Sequence, residues 1–168
     1  GYLQSCCSVK RGDRVILYAQ NCPQFIVAYY AVLRADAVVV PVNPMNKSAE
    51  LAHYVSDSDA RVAIAGQELY RELEPHLGKG RIEHCILAAY ADYVEEPTDL
   101  KIPDLVLQKA LDPGRPEVQI WKKCIAEKKD PAPHRSGPDD LAVLPYTSGT
   151  TGRPKGVEIA CAGLLNLV

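Results

Sequence analysis

The sequence predicts an α/β fold, a doubly wound, mainly parallel β-sheet with flanking helices. Short apolar runs rich in β-branched residues alternate along the chain with amphipathic segments of helical period, and the connections are short. Continuous apolar runs are typical of strands that are covered on both faces of a parallel sheet. Near the C-terminus a glycine- and threonine-rich stretch, residues 146–156, lies between two apolar segments. This stretch predicts a loop of special chemistry between two strands.

The first part of the chain, residues 1–94, is predicted to alternate strands with helices. The apolar runs predict strands over 14–19, 37–42, 61–65 and 81–87, and helices between them that begin at residue 21 and extend over 48–56 and 68–77. Asn21 is the predicted N-cap of the first helix, with Pro23 tolerated in its first turn. Because that helix carries apolar side chains over much of its surface, we expect it to be well buried. His53, on the second helix, is expected to be structural or solvent-exposed.

The middle of the chain, residues 95–138, is predicted to be irregular with one helix. Four prolines between residues 95 and 116 break any element longer than a turn or two. Val118, Trp121 and Ile125 then fall on one face of a helix, and the lysines around them are expected on its solvated face. A proline-rich linker leads from this helix to the next strand.

The last part, residues 139–168, is predicted to form a hairpin around the loop and the start of a helix. The apolar run 141–144 enters the loop, and residues 157–159 leave it with the alternation of a strand. The helical pattern begins only near Cys161. The prediction is therefore strand, loop, strand, and not strand, loop, helix.

The loop has the chemistry of a polyphosphate site. Its glycines allow tight turns that aim consecutive N–H groups at one point, its hydroxyl residues add donors, and its lysine adds a compact positive charge. No carboxylate lies within it to repel an anion. The residues predicted to contact phosphate are Thr147, Ser148, Gly149, Thr150, Thr151, Gly152 and Lys155.

The residues of the loop allow two other interpretations. A solvated hairpin loop of glycine and threonine is the plainer one, but the length and specificity of the whole motif favour phosphate. A P-loop kinase or GTPase is disfavoured because Lys155 follows Pro154 and precedes Gly156, which leaves no metal-binding hydroxyl after the lysine. A helix directly after the loop would revive that interpretation.

Composition narrows the classes of function. The chain has 168 residues, 47% of them apolar, which excludes a disordered protein. A net charge of −2 gives no basic surface for nucleic acid, and no apolar run reaches the ~18 residues of a membrane span. Six cysteines without a C-x-x-C pair predict free thiols in a reducing cytosol, with neither a metal site nor a cysteine nucleophile. The absence of an initiator Met predicts that the N-terminus is cropped.

The stretch 146–157 closely resembles the phosphate loop of the adenylate-forming superfamily, which includes acyl-CoA synthetases, coumarate-CoA-ligase-like enzymes, luciferases and the adenylation domains of peptide synthetases. Residues 32–44 and 11–15 resemble other parts of these enzymes, and the likeness weakens between 95 and 138. The Pro-Val-Asn-Pro ending of residues 41–44 is more like acyl- and aryl-CoA ligases. Asp36 stands where the family usually has glycine, a position that often needs a left-handed backbone. Ala160-Cys161 stands where the family often has Thr-His.

The resemblance implies the N-terminal portion of the large AMP-binding domain of an ATP-dependent carboxylic acid-CoA ligase, with fatty acid favoured as the substrate. Such an enzyme uses ATP with Mg²⁺ to form an acyl-adenylate and then transfers the acyl group to coenzyme A in the cytoplasm. Its adenine-binding strand, ribose-binding acid, hinge and C-terminal catalytic lysine would lie beyond Val168, so no catalytic residue is mapped here. We therefore expect this chain alone to be inactive and to bind ATP weakly or not at all.

An alternative from another class is a stand-alone, non-catalytic nucleotide- or phosphate-binding module. Such a module should have capped terminal helices and a closed core. The uncapped apolar run 164–168 argues against it. The identity of the carboxylic acid and the oligomeric state are not specified by the sequence.

Overall fold

The alternation of apolar runs and amphipathic helices gives the predicted α/β sheet. A computed structural model describes residues 1–94, 99–147 and 153–165, and the elements named here lie in those ranges. The helices are α1 (Tyr2–Ser5), α2 (Pro23–Arg34), α3 (Ser48–Ser58), α4 (Tyr70–Leu73), α5 (Asp104–Leu107), α6 (Trp121–Ala126) and α7 (Cys161–Leu165). The strands are β1 (Arg14–Tyr18), β2 (Val38–Pro41), β3 (Val62–Gly66), β4 (His84–Ala88), β5 (Val118–Ile120), β6 (Leu141–Val143), β7 (Tyr146–Thr147), β8 (Lys155–Gly156) and β9 (Ile159–Ala160).

Seven of the described strands form one sheet in the order β5-β4-β3-β1-β2-β6-β9. All neighbours in it are parallel except β6 and β9, which pair antiparallel. In the central strand Ile16 lies beside Val40 of β2 and Ala63 of β3. The mainly parallel, doubly wound sheet that the sequence predicts is confirmed.

Apolar side chains pack on both faces of the sheet. Val15 and Leu17 of β1 belong to one core with α2, whereas Ile16 and Tyr18 belong to a second core with α3 and α4. Successive residues of a strand point to opposite faces, so a strand covered on both sides needs an unbroken apolar run. This explains why the central strands were the easiest elements to predict.

Helix α2 differs from its prediction at its start and on one side. Its N-cap is Cys22, in extended conformation, and not Asn21, because Pro23 occupies the first helical position and disfavours a helical conformation in the residue before it. The buried residues of α2 lie on the side against the sheet. Ile26 and Tyr30 are 57% and 66% exposed, so the expectation of a well-buried helix was wrong for the outer face.

Two predicted helices are shorter than their periodicity indicates. The segment 68–77 consists of α4 between two 3₁₀ turns, the second of which contains Pro75, a residue that lacks the N–H an α-helix needs. Val118 lies in β5, where it pairs with Cys85 of β4, and so it does not share a helix with Trp121. Ile125 of α6 is 52% exposed.

Asp36 connects the end of α2 to the linker that leads to the loop. Its φ of 60° is left-handed, as the comparison with glycine predicted. Its buried carboxylate accepts hydrogen bonds from the Arg135 N–H (3.1 Å) and from the N–H and hydroxyl of Ser136 (3.0 and 2.9 Å), and it lies 2.6 Å from His134 Nδ1. Burial opposes ionisation, but these hydrogen bonds and the nearby imidazole together lower the pKa of Asp36. The linker 130–138 is thus held to the sheet before the chain enters β6.

The six cysteines are free thiols. Burial raises the pKa of Cys7 and of Cys85 to about 12. Because the thiolate is the reactive form, neither should react at neutral pH.

We expect Cys7 and Cys85 to resist a thiol reagent such as 5,5′-dithiobis(2-nitrobenzoic acid) in the native chain at about pH 7.5. Both should react within the dead time once the chain is unfolded in guanidinium. Mass spectrometry of peptides after timed labelling measures each site, with the partly buried Cys6 as an internal reference. Fast native labelling of Cys85 would contradict its placement inside the sheet.

Helix α2 has 12 residues, and within the described ranges no helix combines the length and hydrophobicity of a membrane span.

Candidate functional site

The predicted phosphate loop emerges from a short antiparallel hairpin. Strand β7 pairs with β8, with Tyr146 opposite Gly156 and Thr147 opposite Lys155. The predicted order of strand, loop, strand is therefore present. Of the predicted site residues, Ser148, Gly149, Thr150, Thr151 and Gly152 lie outside the described residues.

The hairpin stands at the carboxyl edge of the parallel strands. It follows directly on β6, which runs parallel to β2, and the Leu144 N–H donates to the Val39 carbonyl at 2.8 Å. Ligands of open α/β sheets bind outside this edge. The location thus suits a binding loop.

The sequence predicts one strand over 157–159 at the exit from the loop, and this prediction was wrong. The chain forms β8 first and then β9, which pairs with β6 in the large sheet. Pro145 separates the two ladders on the entering side, since it lacks an N–H, and its carbonyl instead accepts from Val157 N–H at 2.8 Å. The chain passes from the small ladder to the large one between residues 156 and 159.

Thr147 and Lys155, the two described site residues, both have exposed side chains. The Thr147 hydroxyl donates to the carbonyl oxygen of Lys155 at 3.4 Å, a long hydrogen bond that a better acceptor can replace. At the next position a Cβ on Gly156 would lie 3.0 Å from Leu144 Cδ1, so the glycine permits this close approach.

Helix α3 holds both arms of the hairpin, which the sequence analysis missed. The Tyr146 hydroxyl donates to Asp57 Oδ2 at 2.7 Å on the entering arm, and His53 Nε2 lies 2.7 Å from the Pro154 carbonyl on the leaving arm. The Tyr146 ring packs edge-on against Tyr54, with centroids 4.7 Å apart. Burial, followed by the hydrogen bond to the Asp57 carboxylate, raises the pKa of Tyr146. His53 is partly buried and is a neighbour of the loop.

The spacing of these residues carried a signal. His53 and Asp57 are four residues apart, so they share one helix face, and both are polar. The pattern marks a polar contact face on α3. It does not identify the partner, which lies about a hundred residues further along the chain.

The two residues that depart from the family pattern, Asp36 and Cys161, have different roles in the structure. Asp36 takes the left-handed backbone and adds hydrogen bonds to the linker. Cys161 begins α7, where its N–H donates to the Asp140 carbonyl at 2.8 Å and its side chain packs against the core beneath the sheet. Cys161 thus contributes to packing.

The described part of the chain also bears on the alternative sites. Lys155 and Gly156 form a strand, and α7 starts only at Cys161, so the helix that a Walker-type P-loop requires does not follow directly. In residues 1–94, 99–147 and 153–165 no group of three or more His, Cys, Asp or Glu side chains could hold a metal ion.

Comparison with known proteins identifies the family of the chain. The family model described as AMP-binding enzyme matches residues 1–168. The chain is 30% identical over 165 residues to a long-chain-fatty-acid–CoA ligase of Bacillus subtilis, covering 95% of this chain and 30% of that protein. It is 31% identical over 169 residues to one of Escherichia coli O157:H7, covering 98% of this chain and 30% of that protein. It is 29% identical over 161 residues to a 4-coumarate–CoA ligase of Humulus lupulus, covering 95% and 26%.

The fold matches solved structures of similar proteins. The crystal structure of an anthranilate CoA ligase in complex with anthranoyl-AMP superposes with a TM-score of 0.71 at 23% identity, covering 95% of this chain and 27% of that one. A coronafacic acid ligase from Pectobacterium brasiliense gives 0.71 at 22% identity, covering 98% and 28%. The chain spans about 30% of the length of the curated relatives it matches. With a family model that matches from the first residue to the last, this chain belongs to the AMP-binding, adenylate-forming enzymes.

Proposed function

We propose that this chain is the N-terminal part of an ATP-dependent carboxylic acid-CoA ligase that forms an acyl-adenylate and then an acyl-CoA. The observation that carries the proposal is the glycine-threonine loop with its lysine, set on a hairpin at the carboxyl edge of the sheet in a chain of the AMP-binding family. The proposed parts are an α/β part over 1–94, a middle segment over 95–138 whose described residues hold α5, β5 and α6 instead of the one helix predicted, and the part over 139–168 that carries the loop hairpin and α7.

The first step of the reaction explains the chemistry of the loop. A carboxylate oxygen attacks the α-phosphorus of ATP, the bond from that phosphorus to the bridging oxygen breaks, and pyrophosphate leaves with the electron pair. Negative charge then builds on the β- and γ-phosphates. Preorganised N–H and hydroxyl donors with a lysine stabilise that charge electrostatically.

Each predicted loop residue has a role in this proposal. Lys155 supplies the positive charge, and Thr150 and Thr151 are the best hydroxyl donors. The backbone amides and remaining hydroxyls belong to Thr147, Ser148, Gly149 and Gly152. The exposed Lys155 and the weakly held hydroxyl of Thr147 support the assignment on the two sides of the loop.

Substrates other than ATP are proposed from the family. CoA is the acyl acceptor, and a fatty acid is the favoured carboxylic acid because relatives named long-chain-fatty-acid–CoA ligases are 30–31% identical to this chain. We place the enzyme in the cytoplasm, in keeping with its free thiols. The Ser and Thr hydroxyl oxygens of the loop fit Mg²⁺, a cation that prefers oxygen ligands, and they would hold it beside the phosphates, where it would offset their negative charge.

The test is acid-dependent exchange of labelled pyrophosphate into ATP by the full-length protein that contains this chain. Exchange should appear with one or more carboxylic acids from a panel of fatty and aryl acids, and acyl-CoA should form when CoA is added. Absence of exchange with every acid would contradict the proposal.

The 168-residue chain alone is expected to release no pyrophosphate from ATP, because it spans only about 30% of the length of its relatives. A coupled pyrophosphate assay with the full-length protein as the positive control measures this. Acid-dependent release by the chain alone would show that the described sheet and hairpin hold a complete catalytic site.

A further inference from the structure

We propose that His53 is a positioning residue for the phosphate loop, fixing the arm that carries Lys155, while Asp57 fixes the other arm through Tyr146. The inference deepens the proposed function and rests on it. Both anchors come from one helix, α3, which is part of the sheet's scaffold and carries no loop residue itself.

The chemistry of the His53 contact is directional. A carbonyl oxygen can only accept, so at 2.7 Å from the Pro154 oxygen His53 Nε2 must carry the proton and donate it. The carbonyl of Pro154 and the N–H of Lys155 belong to one rigid peptide plane. Holding that carbonyl therefore fixes the plane from which the Lys155 side chain projects.

The hairpin needs such an external anchor. Its ladder consists of two residue pairs, Tyr146 with Gly156 and Thr147 with Lys155. An isolated two-stranded hairpin is marginal in water even when it is longer. The contacts with α3 supply what this ladder lacks, with His53 on the leaving arm and Tyr146 packed against both Tyr54 and His53 on the entering arm.

The position of His53 distinguishes a role in positioning the loop from a role in stabilising the fold alone. Pro154 directly precedes Lys155, so the His53 contact is one peptide away from the proposed phosphate ligand. The histidine is only partly buried, and it lies on a different face of α3 from Leu51, which is fully buried in the core. Its loss should therefore alter the loop more than the stability of the sheet.

The functional test compares His53→Ala with His53→Gln in the full-length ligase. Glutamine places an amide N–H donor near the position of Nε2, whereas alanine has none. H53A should raise KM for ATP about tenfold with little change in KM for the carboxylic acid, and H53Q should stay within about threefold of the wild type. His84→Ala, at the opposite end of the strands, is the matched control and should leave both constants unchanged. Equal effects of H53A and H53Q, or an unchanged KM for ATP in H53A, would overturn the inference.

A second measurement does not depend on catalysis. Amide hydrogen exchange in the 168-residue chain should be at least about tenfold faster at Val157, whose N–H donates to Pro145, in H53A than in the wild type, H53Q or H84A. Exchange in β1 should not change. If the wild-type ligase lacks pyrophosphate exchange, the proposed function fails while this measurement still decides the anchoring role. If Lys155→Ala impairs the enzyme but H53A changes neither KM nor amide exchange, only the positioning role is wrong.

Discussion

Replacing Lys155 by alanine in the full-length ligase is expected to lower the rate of adenylation by about 10²–10³-fold, the range for removing one preorganised electrostatic donor from a developing charge. The lysine is exposed on the hairpin and next to the residue that α3 anchors, so its loss should leave the sheet intact. Single-turnover formation of the acyl-adenylate, followed by quench and chromatography, measures the chemical step without product release.

The controls separate charge from location. Lys155→Arg keeps the charge but replaces a compact ammonium by a planar fork, so it should recover only part of the activity. Lys122→Ala removes another exposed lysine, on α6, and should have no effect on the rate. An unchanged adenylation rate in K155A would remove Lys155 from the mechanism, provided that K155A and K155R have the same melting temperature as the wild type.

Replacing Asp36 by alanine is expected to destabilise the chain by about 3 kcal/mol, because it leaves the partly buried N–H groups of Arg135 and Ser136 without their acceptor, and because alanine tolerates the left-handed φ of 60° less well than aspartate does. Asp36→Gly loses the same hydrogen bonds but tolerates that backbone, so it should be about 1 kcal/mol less destabilising than D36A. Urea unfolding followed by Trp121 fluorescence measures the free energies of unfolding. Equal stability of D36A and the wild type would show that the carboxylate does not hold the linker.

The same site predicts a dependence on pH. The folded pKa of Asp36 is lowered from its ordinary value of 3.8, so its ionised form stabilises the fold. That contribution is fully present above about pH 5 and is lost as the pH falls through the folded pKa. The difference in unfolding free energy between the wild type and Asp36→Asn should therefore shrink as the pH falls from about 5 toward 3. A difference that grows over this range would contradict the role of the charge.

The sequence was sufficient for the central sheet and insufficient for what surrounds it. The first four strands were predictable because burial on both faces demands the unbroken apolar runs that Val15 and its neighbours provide. The exposed Ile26 and Tyr30 have the same apolar character as buried residues, and nothing local distinguishes them. Val118 was assigned to a helix because its spacing to Trp121 suits one, whereas its pairing partner Cys85 is remote in sequence.

The candidate site likewise has one part that the sequence predicts and one part that it does not. Its motif is contiguous, so the loop and its hairpin could be located from residues 146–156 alone. The contribution of α3 could not be predicted from the sequence, because His53 contacts Pro154, and Asp57 contacts Tyr146, only once the sheet has formed. The roles of Thr147 and Lys155 toward phosphate stay predictions.

The hydrogen bond from His53 to Pro154 joins residues 101 positions apart. Closing so long a segment costs entropy that local contacts do not repay, so such contacts form late in folding. During synthesis from the N-terminus, α3 emerges from the ribosome well before residue 154 and can already be docked on its strands. The hairpin would then fold against a helix that is already docked, so the nucleotide loop would be among the last parts of the chain to form.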